Sequence, residues 1–375
     1  MVAQSETLQR IARLTPLADV LGLIETLGQP VASQQIPVGR AFGLTLAEDV
    51  IAPSSRPQAV LALRDGWAVR AEDLTDASPY GPIPLTPPPA WCDVGDPLPA
   101  GADAVAPVDA VDWRDRTAEA VAPVAPGEGV LARGTDAAVG SLLRPAGTRL
   151  RRSDLAVLGA TGIERVSVRA PRIRLAGAVA GTFPAAIVDM LAGVVAANGG
   201  VATVQPDDAA DRLDRAMRDD TVDAVVIVGG TGGGRRDASV RALTRHGKVA
   251  AHGFAIAPGE TAALGEVDRR PVLLIPGRID SALAVWLLIG RPLLARLAGG
   301  TVESAGFDAV LSRKVTSRLG FAEVVPVRRD NDGVTPLASD YLPLAALTAA
   351  DGWVLVGADS EGHPAGARVR VRPLP

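Results

Sequence analysis

The chain concentrates small and cationic residues in one run: Gly229, Gly230, Thr231, Gly232, Gly233 and Gly234, then Arg235, Arg236 and Asp237. The preceding Val-Val-Ile-Val at 225–228 reads as a buried strand, and 237–243 reads as a helix capped by Asp237, so the glycines make the turn between them. Backbone N–H groups at such a turn form an anion cradle. Glycine lets the backbone approach a ligand closely, and Arg235 and Arg236 add cationic donors. The chemistry indicated is capture of phosphate or another oxyanion. A glycine-rich strand-to-helix turn with no ligand would look the same. The spacing departs from the common nucleotide motifs: no Lys-Ser or Lys-Thr follows the glycines, and the loop falls deep in the chain rather than after a first strand.

The elements that must position this loop are legible in outline. From Ser153 to Gly162 a short helix is predicted, followed by strands at 166–168 and 173–175. Then come a helix over 184–198, a strand at 201–204, a helix around Leu213 and Met217, and the strand at 224–228. Beyond the loop the pattern gives an extended stretch at 249–256, a strand at 272–275 and a helix over 280–297. Such alternation specifies an α/β layer with a mainly parallel sheet, whose ligands bind beyond the carboxyl ends of the strands. Upstream, Leu8, Ile11, Leu14, Leu17, Leu21 and Ile24 give residues 5–28 a helical period. Residues 45–137 are proline-rich with short apolar bursts at 67–69 and 104–108, as in a small β-rich module. After Gly299-Gly300, strands at 322–327, 334–337, 353–356 and 367–371 predict a separate all-β module.

Composition bounds the partners. With 375 residues, 47% hydrophobic and 21% charged, the chain suits a globular protein of two to four domains. A net charge of −4 provides no general attraction to nucleic acid or to an anionic membrane. Cys92 is the sole cysteine, which excludes an internal disulfide and a cysteine-rich metal site; His246, His252 and His363 are scattered. Glu6 and Arg10 argue against a signal peptide, and the apolar stretch 279–298 carries Asp280, Arg291, Pro292 and Arg296, so a buried helix and a cytoplasmic protein are expected.

Five segments together resemble the MoeA-type molybdopterin molybdenumtransferases, the family that includes the E domain of gephyrin. Gly229-Gly230-Thr231-Gly232 with Arg236-Asp237 is similar to the loop shared by MogA-type and MoeA-type domains. Gly43-Leu44-Thr45-Leu46-Ala47-Glu48-Asp49-Val50 resembles an early Gly-x-x-Leu-Ala-Glu-Asp-Val segment, and Asp65-Gly66-Trp67-Ala68-Val69 a Met-Asp-Gly-Tyr-Ala-Val signature. Leu98-Pro99-Ala100-Gly101-Ala102-Asp103-Ala104-Val105 and Arg133-Gly134-Thr135-Asp136 follow in family order.

The resemblance implies a mixed linking domain (1–44 and 138–170), an inserted β-rich domain (45–137), a MogA-like three-layer α/β domain (171–300) and a C-terminal β-barrel (301–375). It implies a homodimer whose clefts draw on both subunits. The implied activity is insertion of molybdate into adenylylated molybdopterin with release of AMP, helped by a divalent cation such as Mg2+. The small-molecule ligands would be a pterin and an oxyanion, and a molybdoenzyme or another cofactor-synthesis protein is a possible partner. Asp65, Asp136 and Asp237 are the candidate catalytic residues, and Asp208 and Asp237 the candidate metal ligands. Gly229, Gly230, Thr231, Gly232, Gly234, Arg236, Pro258, Gly259, Pro276, Gly277, Arg278 and Ser281 are assigned to cofactor binding. For Asp65 the alternative is a turn aspartate bonding its own backbone. For Asp207 or Asp208, and for Asp237, it is a helix cap.

Several segments depart from the family pattern. Its acidic Ser-Thr-Gly-Asp-Glu-Leu stretch is Leu175-Ala176-Gly177-Ala178-Val179-Ala180 here. Lys-Pro-Gly-Lys-Pro becomes Ala257-Pro258-Gly259-Glu260-Thr261, and Pro-Gly-Asn-Pro-Val-Ser becomes Pro276-Gly277-Arg278-Ile279-Asp280-Ser281. Two cations are lost and a carboxylate is placed near an oxyanion pocket, where like charge is unfavourable. Arg64, Arg235, Arg236 and Arg278 are the residues that could compensate. Three functions follow: an active divergent transferase, a non-catalytic pterin-binding carrier or partner of a molybdoenzyme, and an adenylyl transferase on molybdopterin, the last disfavoured by the MoeA-like surroundings of the loop.

Overall fold

A computed structural model describes residues 11–179, 181–206, 211–235, 237–302 and 306–375. The chain divides into two compact units, one of residues 1–48, 146–152 and 166–375, the other of residues 49–145 and 153–165.

The first unit is built on a six-stranded sheet in the order Val201–Val204, Arg172–Gly177, Ala224–Val228, Arg270–Ile275, Ala263–Val267, Lys248–His252. The first four strands run parallel, and the last two extend the sheet in antiparallel sense. Strict alternation along the central strands feeds two cores. Ala224, Val226, Val228, Leu273 and Ile275 face the helices Thr182–Ala197 and Ile279–Val285, whereas Val225, Ile227, Val272 and Leu274 face Arg212–Arg218 and Ser239–His246. The result is the expected three-layer α/β architecture, each fully buried Val, Leu or Ile stabilising it by about 1.5–3 kcal/mol.

Three sequence expectations are corrected in detail. The helix expected over 5–28 is seen at Leu17–Leu27; residues 1–10 lie outside the described part, and Thr15 instead pairs as extended chain with Phe254. Pro16 explains the late start, since a residue preceding proline is disfavoured in the helical region. The helix expected from Asp237 begins at Ser239. The apolar stretch after Ile279 is three pieces, Ile279–Val285, a π-turn at Trp286–Gly290 and Arg291–Leu297. A Cβ on Gly290 would lie 2.3 Å from the Trp286 ring, so the indole seats itself where a side chain is missing. No described helix is long and apolar enough to cross a membrane.

The C-terminal residues form a mainly β module, corrected from the all-β expectation by a short helix at Leu344–Ala349, and it is less separate than expected. In its main sheet Ala322–Asp330 pairs along one side with Gly352–Val356, and along the other with Ile256–Ala257 at its start and Gly333–Pro336 at its end. Ala322, Val324 and Trp353 enter the α/β core, while Val325, Val327, Val354 and Val356 fill a core of the module's own. Phe307–Val310 with Arg368–Val371, and Val315–Thr316 with Gly362–His363, make two further two-stranded sheets. Among the described residues these strands do not link into one closed ring. Several are only two to four residues long, too short for a continuous ladder.

The second unit is β-rich, as its composition predicted. Gly66–Val69 is the middle strand of a three-stranded sheet between Ala90–Cys92 and Ala104–Ala106, and Val111–Arg114 with Thr117–Ala120 and Ile83–Leu85 makes another. Val69, Leu74, Leu85, Val111 and several buried alanines form its core. The helix Arg152–Ala160 is held through an ion pair between Arg144 and Asp154.

Candidate functional site

The glycine run sits at the carboxyl end of the strand Ala224–Val228. Gly229 and Gly230 have φ of +93° and +67°, a left-handed conformation that favours glycine. The Gly229 N–H donates to the Ile275 carbonyl (2.7 Å), and a Cβ on Gly277 would lie 3.3 Å from Gly229 Cα, so the Pro276-Gly277 turn rests against the loop. Thr231 is buried, with Oγ1 2.9 Å from Thr261 Oγ1, and its carbonyl is 2.9 Å from His252 Nε2. Gly259, with φ of +137°, leaves room for Val285, whose Cγ2 would lie 2.8 Å from an added Cβ. Three segments expected to bind the cofactor, 229–234, 258–261 and 276–281, thus converge. Thr261, which joins two of them, and His252, which holds the Thr231 carbonyl from the strand Lys248–His252, were missed as site residues; nothing in their spacing marks them.

Two carboxylates of the chain occupy backbone donors of these turns. Asp237 Oδ2 accepts the Gly234 N–H at 2.7 Å, and the Asp237 N–H returns to the Gly234 carbonyl at 3.0 Å. Asp237 is therefore no helix cap, because its carboxylate folds back onto the glycine loop. Ser239 closes the base of that loop, donating from N to Gly230 O (3.0 Å) and from Oγ to Gly229 O (2.7 Å). Glu260 Oε2 accepts the Gly259 N–H at 3.0 Å, and its Oε1 accepts from Arg318 Nη2 at 2.8 Å.

The compensating charge differs from the one expected. Arg318, from the C-terminal module, pairs with both Glu260 and Asp340 and covers the Phe321 ring. Nothing in the local sequence around residue 318 signals this role. Arg278 forks onto the buried Asp280 (3.1 and 2.5 Å) and covers the Tyr341 ring; the hydrogen bond to Asp280 is the main cause that holds its guanidinium above the ordinary value. Asp280 also takes the Ser281 N–H (2.7 Å) and Ser281 Oγ (3.3 Å), so that serine is turned toward it. Arg64 belongs to the other unit, where it donates to the Val105 carbonyl and to Glu128. Arg235 is exposed and forms no ion pair with a described residue, while Arg236 lies outside the described residues.

This arrangement makes a direct prediction for Glu260. Glu260→Lys releases the Gly259 N–H and Arg318 together and adds a cation beside them. Molybdate binding, measured by calorimetry, is expected to tighten about tenfold. Unchanged affinity in a folded variant would place the oxyanion elsewhere.

Asp65 and Asp136 lie in the second unit. Asp65 Oδ1 accepts the Val94 N–H at 2.8 Å, so it braces a neighbouring segment instead of bonding its own backbone. Gly66 is required by strand approach: a Cβ there would lie 2.1 Å from the Ala106 carbonyl oxygen. Asp136 is exposed, its N–H donating to the Arg56 carbonyl at 2.9 Å. Asp207 and Asp208 fall outside the described residues, among which no group of three His, Cys, Asp or Glu is placed to hold a metal.

A three-layer α/β domain here carries a glycine turn and two proline-glycine turns at the carboxyl edge of its sheet, the edge at which such sheets bind ligands, in a chain that also holds a β-rich unit and a terminal β module. Residues 4–162 match the MoeA N-terminal region (domain I and II), and residues 157–296 match the probable molybdopterin binding domain. The chain thus carries, in tandem over residues 4–296, the two domains that the sequence resemblance implied. It is 29% identical to molybdopterin molybdenumtransferase 2 of Mycobacterium tuberculosis, over 90% of this chain and 94% of that protein. It is 26% identical to a putative molybdopterin biosynthesis protein of Methanocaldococcus jannaschii, over 93% and 94%. The crystal structure of a molybdopterin biosynthesis moeA protein from Pyrococcus horikoshii superposes with a TM-score of 0.79 at 25% identity, covering 96% of this chain and 99% of that one.

Proposed function

We propose that this chain is a molybdopterin molybdenumtransferase that acts in molybdenum cofactor biosynthesis, taking adenylylated molybdopterin and molybdate as substrates and releasing AMP. The observation that carries the reading is the convergence of the 229–234, 258–261 and 276–281 turns, where backbone amides of Gly234 and Gly259 already hold oxygen anions, those of Asp237 and Glu260. A phosphate or molybdate oxygen presents the same acceptor chemistry. Asp237, with Asp208, would hold Mg2+; one or two carboxylates suffice, because Mg2+ keeps waters and takes further oxygens from a substrate phosphate. When bound, the ion would neutralise charge on the departing phosphate. The glycine loop would orient that phosphate, and Asp65 and Asp136 of the second unit are the proposed catalytic carboxylates.

The test is AMP release from adenylylated molybdopterin with molybdate and Mg2+, run beside the M. tuberculosis relative. Slow, metal-dependent release is expected. Complete absence of release favours the second reading, a pterin-binding carrier or partner of a molybdoenzyme, which the engagement of Arg278 with Asp280 and of Glu260 with the Gly259 N–H supports.

The four-part division into 1–44 with 138–170, 45–137, 171–300 and 301–375, a homodimer with clefts shared between subunits, and residence in the cytoplasm belong to the same proposal, supported by the similarity to MoeA-type domains. Sedimentation at micromolar concentration should give a single dimeric species, with an interface of about 1,200 Å² or more. A stable monomer with full pterin affinity would remove the shared clefts.

A further inference from the structure

Three of the chain's five tryptophans meet on one face of the second unit. Trp67 lies opposite Trp91 across the paired strands Gly66–Val69 and Ala90–Cys92, the ring centroids 5.1 Å apart at 82°. Trp113, from Val111–Arg114, brings its ring to 5.2 Å from Trp67 at 50°. None of these pairs is stacked face to face, and Trp91 and Trp113 each remain 44% exposed, which is far more than folding alone asks of an indole. The edge of the cluster is anionic. Asp93 accepts the Trp91 Nε1–H at 2.8 Å through Oδ1, and its Oδ2 has no partner among the described residues. Register places Asp65 opposite Asp93, one residue beyond the paired Gly66 and Cys92, on the same side as the indoles. The Trp67 Nε1–H is sheltered from solvent and makes no hydrogen bond.

From this juxtaposition we infer that the Trp67–Trp91–Trp113 face with Asp93 is a stacking site for a planar, fused nitrogen heterocycle that carries amino or ring N–H donors on its edge. Indole faces bind such rings through π-stacking with little demand on sequence or shape. A carboxylate oxygen at the margin takes the exocyclic amine or ring N–H, which selects an amino-heterocycle over a bare aromatic. A pterin and an adenine share this chemistry, and both arms can be tested. The site rests on this unit's own geometry, and it stands whether or not the chain releases AMP.

The probes are neopterin, which has no phosphate, and AMP, with binding followed by equilibrium dialysis on the full chain. Wild-type protein is expected to bind one of them, and Trp113→Ala and Trp91→Ala are each expected to weaken it at least about fivefold. Both side chains are half exposed, so these variants should keep the wild-type melting profile. Asp93→Asn should reduce the preference for the amino-heterocycle over its deaminated counterpart. Preference for neopterin identifies a pterin site, and preference for AMP an adenine site. Excess inorganic phosphate should leave neopterin binding to the wild-type protein unchanged, which separates this site from the glycine loop. Unaltered affinity in both tryptophan variants would overturn the assignment, as would a wild type that binds phosphate but neither heterocycle. Conversion of a dimer to monomer by Trp91→Ala without change in affinity would assign the face to contact between copies of the chain and overturn it as well.

Discussion

Asp65→Asn is expected to lower metal-dependent AMP release at least about a hundredfold, the scale on which a single charge-stabilising group acts in a pre-organised site. Asparagine keeps the size of the side chain and, through its amide oxygen, an acceptor for the Val94 N–H. The local fold should therefore survive, with a melting profile close to wild type. Pterin binding should stay within about threefold, because the indoles and Asp93 remain in place and only one charge has been removed. A single-turnover assay together with a binding isotherm separates the two effects. Equal losses in both would make Asp65 a binding residue. A variant as active as wild type would leave it as a structural brace of the segment around Val94.

Gly230→Val should reduce phosphate binding more than tenfold and also lower stability. A Cβ at this position would lie 2.7 Å from Ser239 Oγ and 3.2 Å from the Ala178 Cβ, and the backbone φ is +67°. A β-branched residue is strained there by about 1–2 kcal/mol, and displacing neighbours costs about 1–3 kcal/mol more. Ser239 Oγ closes the loop on the Gly229 carbonyl, so pushing it aside opens the turn that must grip the ligand. The packing around Ser239 makes a drop of several degrees in melting temperature the expected result. Binding of phosphate unchanged in a folded Gly230→Val protein would move the anion site away from this loop.

What could be read from sequence followed the strength of local patterns. The 225–228 run, buried on both faces, and the glycines after it gave both the strand and the turn, because continuous β-branched residues bounded by glycine have few other readings. The strand Ala263–Val267 was missed: Gly265 interrupts its pattern, and the reason for that glycine, a Lys248 carbonyl oxygen 2.2 Å from where its Cβ would be, is a tertiary contact. Charge was read with the right residues and the wrong partners. Glu260 was recognised as a reversal, but its ion pair with Arg318 spans 58 positions, a separation no motif encodes. Asp237 looked like a cap because caps and loop-bracing aspartates share one sequence signature.

The two-residue strand Ile256–Ala257 belongs to the C-terminal sheet, yet it leads directly into Pro258, Gly259 and Glu260. The stretch that carries an oxyanion donor is thus tethered at its root to residues more than sixty positions later, and Arg318 holds its tip from the same module. A fragment ended near residue 300 would unzip that tether, leaving two apolar residues without the strand they pair with. Ligand affinity measured on an excised α/β domain would then report a frayed turn, and the terminal β module should be regarded as scaffolding for the pocket rather than as a detachable appendage.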